Sequence, residues 1–170
     1  LIMISNVPAE YVAEYGETPG LTIGYRIPMD ELEHHYRTAH ILLAPFHTDT
    51  FGYVILEGFS YGIPCVGTDQ FASPEIISHG KTGMLFENSV SRFNKKCIVQ
   101  RMIDDAFIEE LKAPSKDYVH RFADAVAQLI ENPNFIEGMG EMAYQEVSQG
   151  KFSKKARQKT MKRIYSESLQ

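Results

Sequence analysis

Two acidic residues eight positions apart, Asp49 and Glu57, flank a Phe51–Gly52 dipeptide. A short apolar run precedes this segment and another follows it, and both have the length and composition of buried strands. We therefore predict a strand, a glycine turn and a helix that starts near Gly52. Such a helix start presents free backbone N–H groups and the positive end of the helix dipole, an arrangement that suits a phosphate or diphosphate.

The two carboxylates indicate what lies beside that phosphate. Carboxylate oxygens accept hydrogen bonds from neutral hydroxyl groups, such as those of a sugar and a ribose. An ordinary alternative is that Asp49 or Thr50 caps the helix while Glu57 is solvated. However, Glu57 follows Val54–Leu56 and precedes Gly58–Phe59, and an unpaired charge is costly in such an apolar setting. We therefore expect Glu57 to accept hydrogen bonds from ribose, and the whole segment predicts a nucleotide-sugar site.

Short apolar runs alternate with helical patterns through the first half of the chain. Strands are predicted at Leu1–Ile4, Leu21–Gly24, His40–Ala44, Pro64–Gly67 and Gly83–Phe86, and helices at Pro8–Tyr15, Asp30–Thr38, Gly52–Tyr61 and Ser73–Gly80. Crossover connections of this kind predict an α/β fold with a parallel sheet covered by helices on both faces. Ligands bind such sheets beyond the carboxyl ends of the strands. Loops 25–28, 45–52 and 68–74 are therefore predicted to share one edge.

The character of the sequence changes near residue 88. Residues 88–116 are rich in Lys and Arg with weak periodicity, and we interpret them as an insertion with one helix. Helical patterns then run from Val119 to about Glu131, onward from Pro133, and over Lys154–Ser168. Residues 151–170 hold seven Lys/Arg and one Glu, whereas residues 1–150 hold 10 Lys/Arg and 21 Asp/Glu. The last helix is thus a solvated basic helix or a docking face.

Composition excludes several classes of protein. A length of 170 residues predicts a single domain, and a net charge of −5 argues against a general nucleic-acid binder. Cys65 and Cys97 make no disulfide framework, so we expect a cytoplasmic protein in which Cys65 is a buried core residue. The histidines lack a complete ligand set, so no metal site is predicted, and His47 is expected to be a partly exposed loop residue. Because the chain opens on a strand without an initiator Met, we expect it to be part of a longer protein.

A known family shares the pattern of residues 49–66, which read D-T-F-G-Y-V-I-L-E-G-F-S-Y-G-I-P-C-V. The chain resembles the retaining glycosyltransferases of the GT-B fold, chiefly group 1 (family four), whose motif reads E-G-F-G-x-x-x-x-E-A-x-A-x-G-x-P-V-V. Residues 75–86 are similar to the E-I-I-x-x-G-x-x-G-x-L-F segment that follows in that family. The resemblance covers residues 1–87 well and residues 117–168 loosely. It implies the Rossmann-like, donor-binding C-terminal half of such an enzyme.

The resemblance also implies roles for individual residues. The two acids, Asp49 and Glu57, would be the catalytic-site carboxylates, Asp49 at the hydroxyls of the donor sugar and Glu57 at those of the ribose. The remaining implied contacts are Thr50, Phe51, Gly52 and Tyr53 with the sugar and diphosphate, and Gly24, Tyr25, Arg26 and Ile27 with the base. Tyr25 or Arg26 would stack on that base. The donor is a nucleotide-diphosphate sugar, and no metal or other cofactor is implied.

Two departures from the family pattern shape the expected activity. The first acid is Asp rather than Glu, which shortens its reach by one methylene. The family's Arg/Lys pair for the diphosphate and its N-terminal acceptor-binding domain both lie outside this sequence. We therefore expect the full-length protein to transfer a sugar to an acceptor hydroxyl, and residues 1–170 alone to bind nucleotide weakly without turnover. The basic C-terminal helix would contact the N-terminal domain or, alternatively, an anionic lipid-linked acceptor at a membrane surface.

Two other classes of function compete with this interpretation. One is a non-catalytic module that binds a nucleotide or a protein on the same fold, which the shorter acid at position 49 slightly favours. The other is a dinucleotide-dependent oxidoreductase, which would need G-x-G-x-x-G after the first strand. Residues Ser5–Pro8 offer no such sequence.

Overall fold

A computed structural model describes residues 1–47, 51–87, 90, 104–113 and 115–169. In these residues the strands are β1 (Ile2–Ile4), β2 (Thr22–Gly24), β3 (Leu42–Ala44), β4 (Cys65–Thr68) and β5 (Gly83–Phe86). The helices are α1 (Ala9–Tyr15), α2 (Met29–Thr38), α3 (Tyr53–Ser60), α4 (Ser73–Ile76), α5 (Asp105–Lys112), α6 (Lys116–Glu131), α7 (Pro133–Ser148) and α8 (Lys154–Ser168). They form two compact units, Leu1–Thr38 and Ala39–Gln170. The single-domain organisation stays a prediction.

The first unit is a β-α-β-α segment. Strands β1 and β2 pair in parallel with Ile2 opposite Thr22, and α1 connects them. Helix α2 begins at Met29, one residue before the predicted helix Asp30–Thr38, and the N–H of Leu32 donates to the Pro28 carbonyl at 3.0 Å. Asp30 lies in the first turn, where an acidic residue interacts favourably with the positive end of the helix dipole.

The second unit contains a three-stranded parallel sheet in the order β3-β4-β5. Leu42 lies opposite Cys65, and Cys65 lies opposite Gly83. Helix α3 makes the crossover from β3 to β4, and the short α4 makes the crossover from β4 to β5. This alternation matches the predicted strand–helix order.

Helices pack against both faces of this sheet. Cys65 belongs to a buried cluster with Ile55 and Phe59 of α3 and with Ala143 of α7. The next residue, Val66, belongs to a second cluster with Leu129 of α6. Neighbouring strand residues point to opposite faces, so helices cover the sheet on both sides. The predicted fold class, a Rossmann-like parallel sheet between helices followed by C-terminal helices, is confirmed.

Helix α4 is shorter than the sequence predicts. It ends at Ile76, and Ile77 is already extended with φ −89° and ψ 116°. The side chain of Ser73 does not cap it, since the N-cap position is Ala72 and no side-chain cap hydrogen bond is present there. The N–H of Ser78 donates to Oγ1 of the buried Thr82 at 2.9 Å, and this bond turns the chain towards β5 instead of extending the helix to Gly80.

Helices at the C-terminal end follow the predicted pattern closely. Ser115 caps α6 by accepting from the N–H of Tyr118 at 3.1 Å, and Ser153 caps α8 by accepting from the N–H of Ala156 at 3.2 Å. Helix α5 lies within the predicted 88–116 insertion, most of which falls outside the described residues. Among the described helices, none combines the length and the apolar composition needed to span a membrane.

Candidate functional site

The start of α3 is built around Gly52. Its φ of 78° and ψ of 48° lie in the left-handed region, which glycine adopts without the steric cost of a Cβ atom. A Cβ at this position would lie 3.0 Å from Cδ1 of Ile55, a fully buried core residue. The Phe-Gly turn predicted from the sequence is therefore present, and it fixes the direction in which α3 leaves the sheet.

The first turn of α3 offers backbone donors to a ligand. The N-cap residue, Gly52, makes no side-chain cap hydrogen bond, and the first turn contains no acidic residue. Tyr53 is 71% exposed, and its ring lies 4.8 Å from that of Phe51. The first N–H groups of a helix lack intrahelical acceptors, so this aromatic-flanked helix start can bind an anion.

Glu57 is exposed, which corrects the expectation of an apolar environment. Its sequence neighbours Ile55, Gly58 and Phe59 are buried, but the helical repeat turns Glu57 away from them. Tyr53 and Glu57 are four residues apart, so both lie on one exposed face of α3 about one turn from each other. The carboxylate therefore stands beside the helix start without the desolvation cost that the sequence predicted.

Two loops meet at the carboxyl edge of the second unit's sheet. Residues 45–47 follow β3, and residues 69–72 follow the neighbouring strand β4. Oγ1 of the buried Thr68 donates to the Phe46 carbonyl at 2.7 Å and joins the bases of these loops. The predicted shared edge is thus confirmed for these two loops. Phe71, in the second loop, has a φ of 53°, an unusual value for a residue other than glycine.

His47 packs beside α6 at the same edge. Its ring centroid lies 6.1 Å from that of Tyr118, and His47 is half-buried, which agrees with the predicted partly exposed loop position. Within the described part of the chain, His47 Nδ1 and the Tyr118 hydroxyl are buried without a hydrogen-bond partner. Burial raises the pKa of the Tyr118 hydroxyl, so this group stays protonated at neutral pH.

The predicted base-binding loop lies in the first unit. Gly24 ends β2, Tyr25 is 53% exposed, and the Arg26 guanidinium carbon lies 5.0 Å from the centre of the Tyr25 ring. Arg26 has a φ of 51°. Ile27 is half-buried, and its Cγ2 would lie 3.2 Å from a Cβ at Gly24. The loop thus presents a cation stacked on an aromatic ring, a pair that can also stack on a planar base.

Other predicted site residues fall outside what the structure describes. Asp49 and Thr50 lie between the described ranges 1–47 and 51–87, so their contacts with a sugar and a diphosphate stay predictions. The sequence predicts that loop 68–74 lies at this edge, but it assigns no individual role to Thr68 or Phe71 within that loop. A polar residue at the end of the apolar strand β4 was an available signal for Thr68, whereas nothing in the sequence Gln70–Ser73 indicates a left-handed Phe71. The described residues contain no group of three metal-ligating side chains.

Together, the fold and the site define a class of protein: a Rossmann-like α/β domain with a glycine-initiated, exposed helix start at the carboxyl edge of a parallel sheet. The family of glycosyl transferases group 1 matches residues 6–101, which is more than half of the chain. The chain belongs to this family of glycosyltransferases.

The chain is similar to parts of several curated proteins. A D-inositol 3-phosphate glycosyltransferase from Corynebacterium jeikeium is 27% identical over 140 residues, which cover 82% of this chain and 26% of that protein. An N-acetyl-alpha-D-glucosaminyl L-malate synthase from Bacillus anthracis is 43% identical over 47 residues, or 28% of this chain and 12% of that protein. The chain spans between 12% and 27% of the length of the curated relatives it matches.

A solved structure shares the fold over nearly the whole chain. The sucrose-phosphate synthase of Thermosynechococcus elongatus superposes with a TM-score of 0.67 over 99% of this chain and 38% of that one, at 16% identity. Anabaena HepE, solved in complex with UDP-glucose, gives a TM-score of 0.62 over 93% of this chain and 35% of that one, also at 16% identity. At this level of identity the likeness establishes the GT-B type of fold.

Proposed function

We propose that this chain is the donor-binding domain of a retaining glycosyltransferase and that it binds a nucleotide-diphosphate sugar. The observation that carries the proposal is the start of α3, where Gly52, which has no side chain, begins the helix in a left-handed conformation and Glu57 lies on the same exposed face as Tyr53. A diphosphate at the helix start is stabilised by the N–H groups and by the helix dipole. The UDP-glucose complex of the structural neighbour HepE supports this class of ligand.

Each part of the donor is assigned to a residue group. The diphosphate lies over the backbone of Phe51, Gly52 and Tyr53, and Thr50 extends that contact. Asp49 accepts hydrogen bonds from the sugar hydroxyls, and Glu57 accepts them from the ribose. Hydrogen bonds to a charged acceptor contribute about 1.5–3 kcal/mol each. The bonds between ribose and the exposed Glu57 therefore contribute most to the binding free energy when the bound nucleotide shields the carboxylate from water. The loop Gly24–Ile27 borders the base.

The proposed reaction is hexosyl transfer with retention of the anomeric configuration. The bond between the sugar's anomeric carbon and the diphosphate oxygen breaks, and a new bond to the acceptor oxygen forms on the same face. The acceptor's proton passes to the leaving diphosphate. Asp49 and Glu57 then act by positioning the donor, and the start of α3 stabilises the negative charge that develops on the diphosphate. The proposal requires no metal ion and no further cofactor.

In this proposal, only the longer protein catalyses sugar transfer. The chain spans at most 27% of its curated relatives, so the acceptor-binding domain is assigned to another part of the same protein. We propose a cytoplasmic enzyme that does not bind nucleic acid. Helix α8 faces either the acceptor-binding domain or, with a lipid-linked acceptor, an anionic membrane surface.

A non-catalytic binding module is the second candidate. The observation that favours it is Asp at position 49, where the family motif has Glu. In this second candidate, the protein binds a nucleotide but does not transfer a sugar. The two are separated by assaying the longer protein for sugar transfer and determining the anomeric configuration of the product by NMR.

The test of donor binding is an NMR titration of the chain with UDP, GDP, ADP and dTDP. We expect one nucleotide to bind, to shift signals of residues 24–27 and 51–57, and to lose affinity with Glu57→Ala. Glu137→Ala is the control, since Glu137 is also an exposed helical glutamate and lies outside the predicted site. If none of the four nucleotides binds even the longer protein at millimolar concentration, the proposed function is wrong.

A further inference from the structure

Two buried polar atoms lie on neighbouring side chains at the carboxyl edge of the second unit's sheet. His47 Nδ1 and the Tyr118 hydroxyl have no hydrogen-bond partner among the residues that the structure describes, and the centres of the two rings lie 6.1 Å apart. Tyr118 is only 5% exposed. A buried polar atom without a partner is costly and is rare in folded proteins, so this pair requires an explanation.

The backbone around both residues is anchored. The N–H of Tyr118 donates to the side chain of Ser115, which caps α6, at 3.1 Å. The carbonyl of Phe46, the residue before His47, accepts from Oγ1 of the buried Thr68 at 2.7 Å. The two unpaired atoms therefore belong to a helix start and a loop that the fold holds in place.

The two atoms are chemically complementary. Burial raises the pKa of the Tyr118 hydroxyl, which therefore stays protonated at neutral pH and can donate a hydrogen bond. A neutral imidazole accepts at Nδ1 when its proton is on Nε2. A hydrogen bond from Tyr118 to His47 would satisfy both atoms and would select this tautomer. At functional sites such bonds are often long or unformed in the free protein and tighten when the ligand binds.

His47 lies in a loop that contacts the proposed donor site. Cε2 of the preceding residue, Phe46, would lie 3.6 Å from a Cβ at Gly52, where α3 begins. His47 as a residue is half-buried although its Nδ1 is buried, so other atoms of this residue reach solvent. The fold thus connects Tyr118, through His47 and its loop, to the helix start that is assigned to the diphosphate.

We propose that Tyr118 is a positioning residue of the donor site and that it acts through His47. The inference rests on the proposed nucleotide-binding function. In the nucleotide complex, the Tyr118 hydroxyl donates to His47 Nδ1, and the Nε2–H of His47 donates to an anionic phosphate oxygen of the nucleotide. A donor at Nδ1 and an anionic acceptor at Nε2 favour the same tautomer, so each hydrogen bond strengthens the other.

The test removes one group at a time and measures nucleotide affinity by calorimetry. UDP, GDP, ADP and dTDP are titrated into the wild type, and the nucleotide that binds is then measured with Tyr118→Phe, His47→Ala and the double variant. Tyr118→Phe removes only the hydroxyl, and Tyr144→Phe, which changes a 50% exposed tyrosine of α7, is the control. Melting temperatures of the free chains report on stability. Nitrogen-15 NMR of histidine-labelled chains reports the His47 tautomer, with the His47 signals identified by their loss in His47→Ala.

Tyr118→Phe should weaken nucleotide binding about three- to tenfold when His47 is present and less than about twofold in the His47→Ala background. The melting temperature of the free chain should not fall, because the hydroxyl that is removed has no partner among the described residues. Nucleotide should move His47 towards the tautomer with the proton on Nε2 in the wild type, and less so in Tyr118→Phe.

Unchanged affinity in Tyr118→Phe would overturn the inference and leave the donor site intact. If the melting temperature also falls, a buried water holds the hydroxyl in the free chain and its role is structural. Equal loss of affinity with and without the His47 imidazole would show that Tyr118 does not act through His47, which also overturns the inference. If none of the four nucleotides binds the wild-type chain or the longer protein, the proposed function fails and the inference fails with it.

Discussion

Gly52 determines how the donor-binding edge is built, and its role can be separated into two physical parts. One part is the left-handed backbone, and the other is the close approach of Ile55 Cδ1, 3.0 Å from an added Cβ. Gly80 has a similar φ of 74°, but an added Cβ there would meet nothing within 4 Å. Gly80→Ala should therefore lower the free energy of unfolding by about 1–2 kcal/mol, through strain alone.

Gly52→Ala should lower the free energy of unfolding further than Gly80→Ala, because it adds a steric conflict in the core. It should also weaken nucleotide binding, whereas Gly80→Ala should not. Urea denaturation of both variants measures the first difference, and the nucleotide titration measures the second. Equal destabilisation by the two substitutions would show that the Ile55 contact contributes nothing.

The burial of Cys65 should make the free energy of unfolding depend on pH. The thiol is fully buried, and burial raises its pKa well above the usual value. The folded chain therefore keeps this proton at a pH where the unfolded chain, with an ordinary cysteine pKa of about 8.5, releases it. The resulting stabilisation is complete below about pH 8.5 and is lost as the pH rises, by about 1.4 kcal/mol per unit.

Cys65→Ala removes this dependence and is the natural comparison. Urea unfolding at several pH values between 7.5 and 10 should show the wild-type free energy of unfolding falling more steeply than that of Cys65→Ala. The extra slope corresponds to one proton. Identical slopes would mean that Cys65 is accessible to solvent in the folded chain.

At the scale of elements, Gly140 allows α7 to pack closely against the end of α3, whereas Gly138 of the same helix makes no such approach. A Cβ at Gly140 would lie 2.1 Å from the carbonyl oxygen of Gly62, just past the end of α3, whereas a Cβ at Gly138 would meet nothing within 4 Å. Gly140→Ala should therefore force the helices apart and cost about 2–3 kcal/mol of stability. Gly138→Ala should stabilise the chain by about 0.5–1 kcal/mol through helix propensity.

Thermal unfolding of these two variants gives a sharp comparison, because both are in the same helix and differ by two positions. Opposite signs of the change are expected. A Gly140→Ala variant as stable as the wild type would mean that α3 and α7 do not approach as closely as the structure shows.

The order and type of the elements could be predicted from local sequence, because apolar period and turn residues determine both. All five strands and the helix Lys154–Ser168 were predicted close to their observed bounds. The end of α4 was not predicted. There the N–H of Ser78 donates to the side-chain hydroxyl of Thr82, and the apolar pattern of the sequence does not indicate a hydrogen bond of this kind. The exposure of Glu57 was missed because its linear neighbours are apolar, while the helix turns them to the opposite side.

At the scale of the whole molecule, the chain is an acidic body with a basic end. Residues 151–170 carry seven Lys/Arg and one Glu. Helix α8 contains no buried residue, although the two preceding residues, Phe152 and Ser153, pack into the second unit. A chain that ends at Ser153 should therefore melt within about 2 °C of the wild type, since little apolar area is lost. A large drop in melting temperature would assign α8 to the folded core.

The sequence predicts individual roles only for the site residues that resemble a known family motif. Gly52, Tyr53 and Glu57 lie within one motif and are brought together by one helix. Thr68 and Phe71 lie in the loop 68–74 that the sequence places at this edge, but the left-handed conformation of Phe71 has no local sequence signal. The roles of Asp49 and of the Gly24–Ile27 loop remain predictions that ligand binding must test.

The most direct test of donor binding is a thermodynamic cycle on Glu57. Binding of the preferred nucleotide and of its 2′-deoxy analogue is measured for the wild type and for Glu57→Gln, with Glu137→Gln as the control. Because Glu57 is exposed, and interactions of exposed charged side chains contribute little to stability, Glu57→Gln should change the melting temperature only slightly. We predict that removing the 2′-hydroxyl weakens wild-type binding about tenfold and changes binding to Glu57→Gln less than about twofold. Equal effects of the deoxy analogue on both chains would contradict the assignment of Glu57 to the ribose.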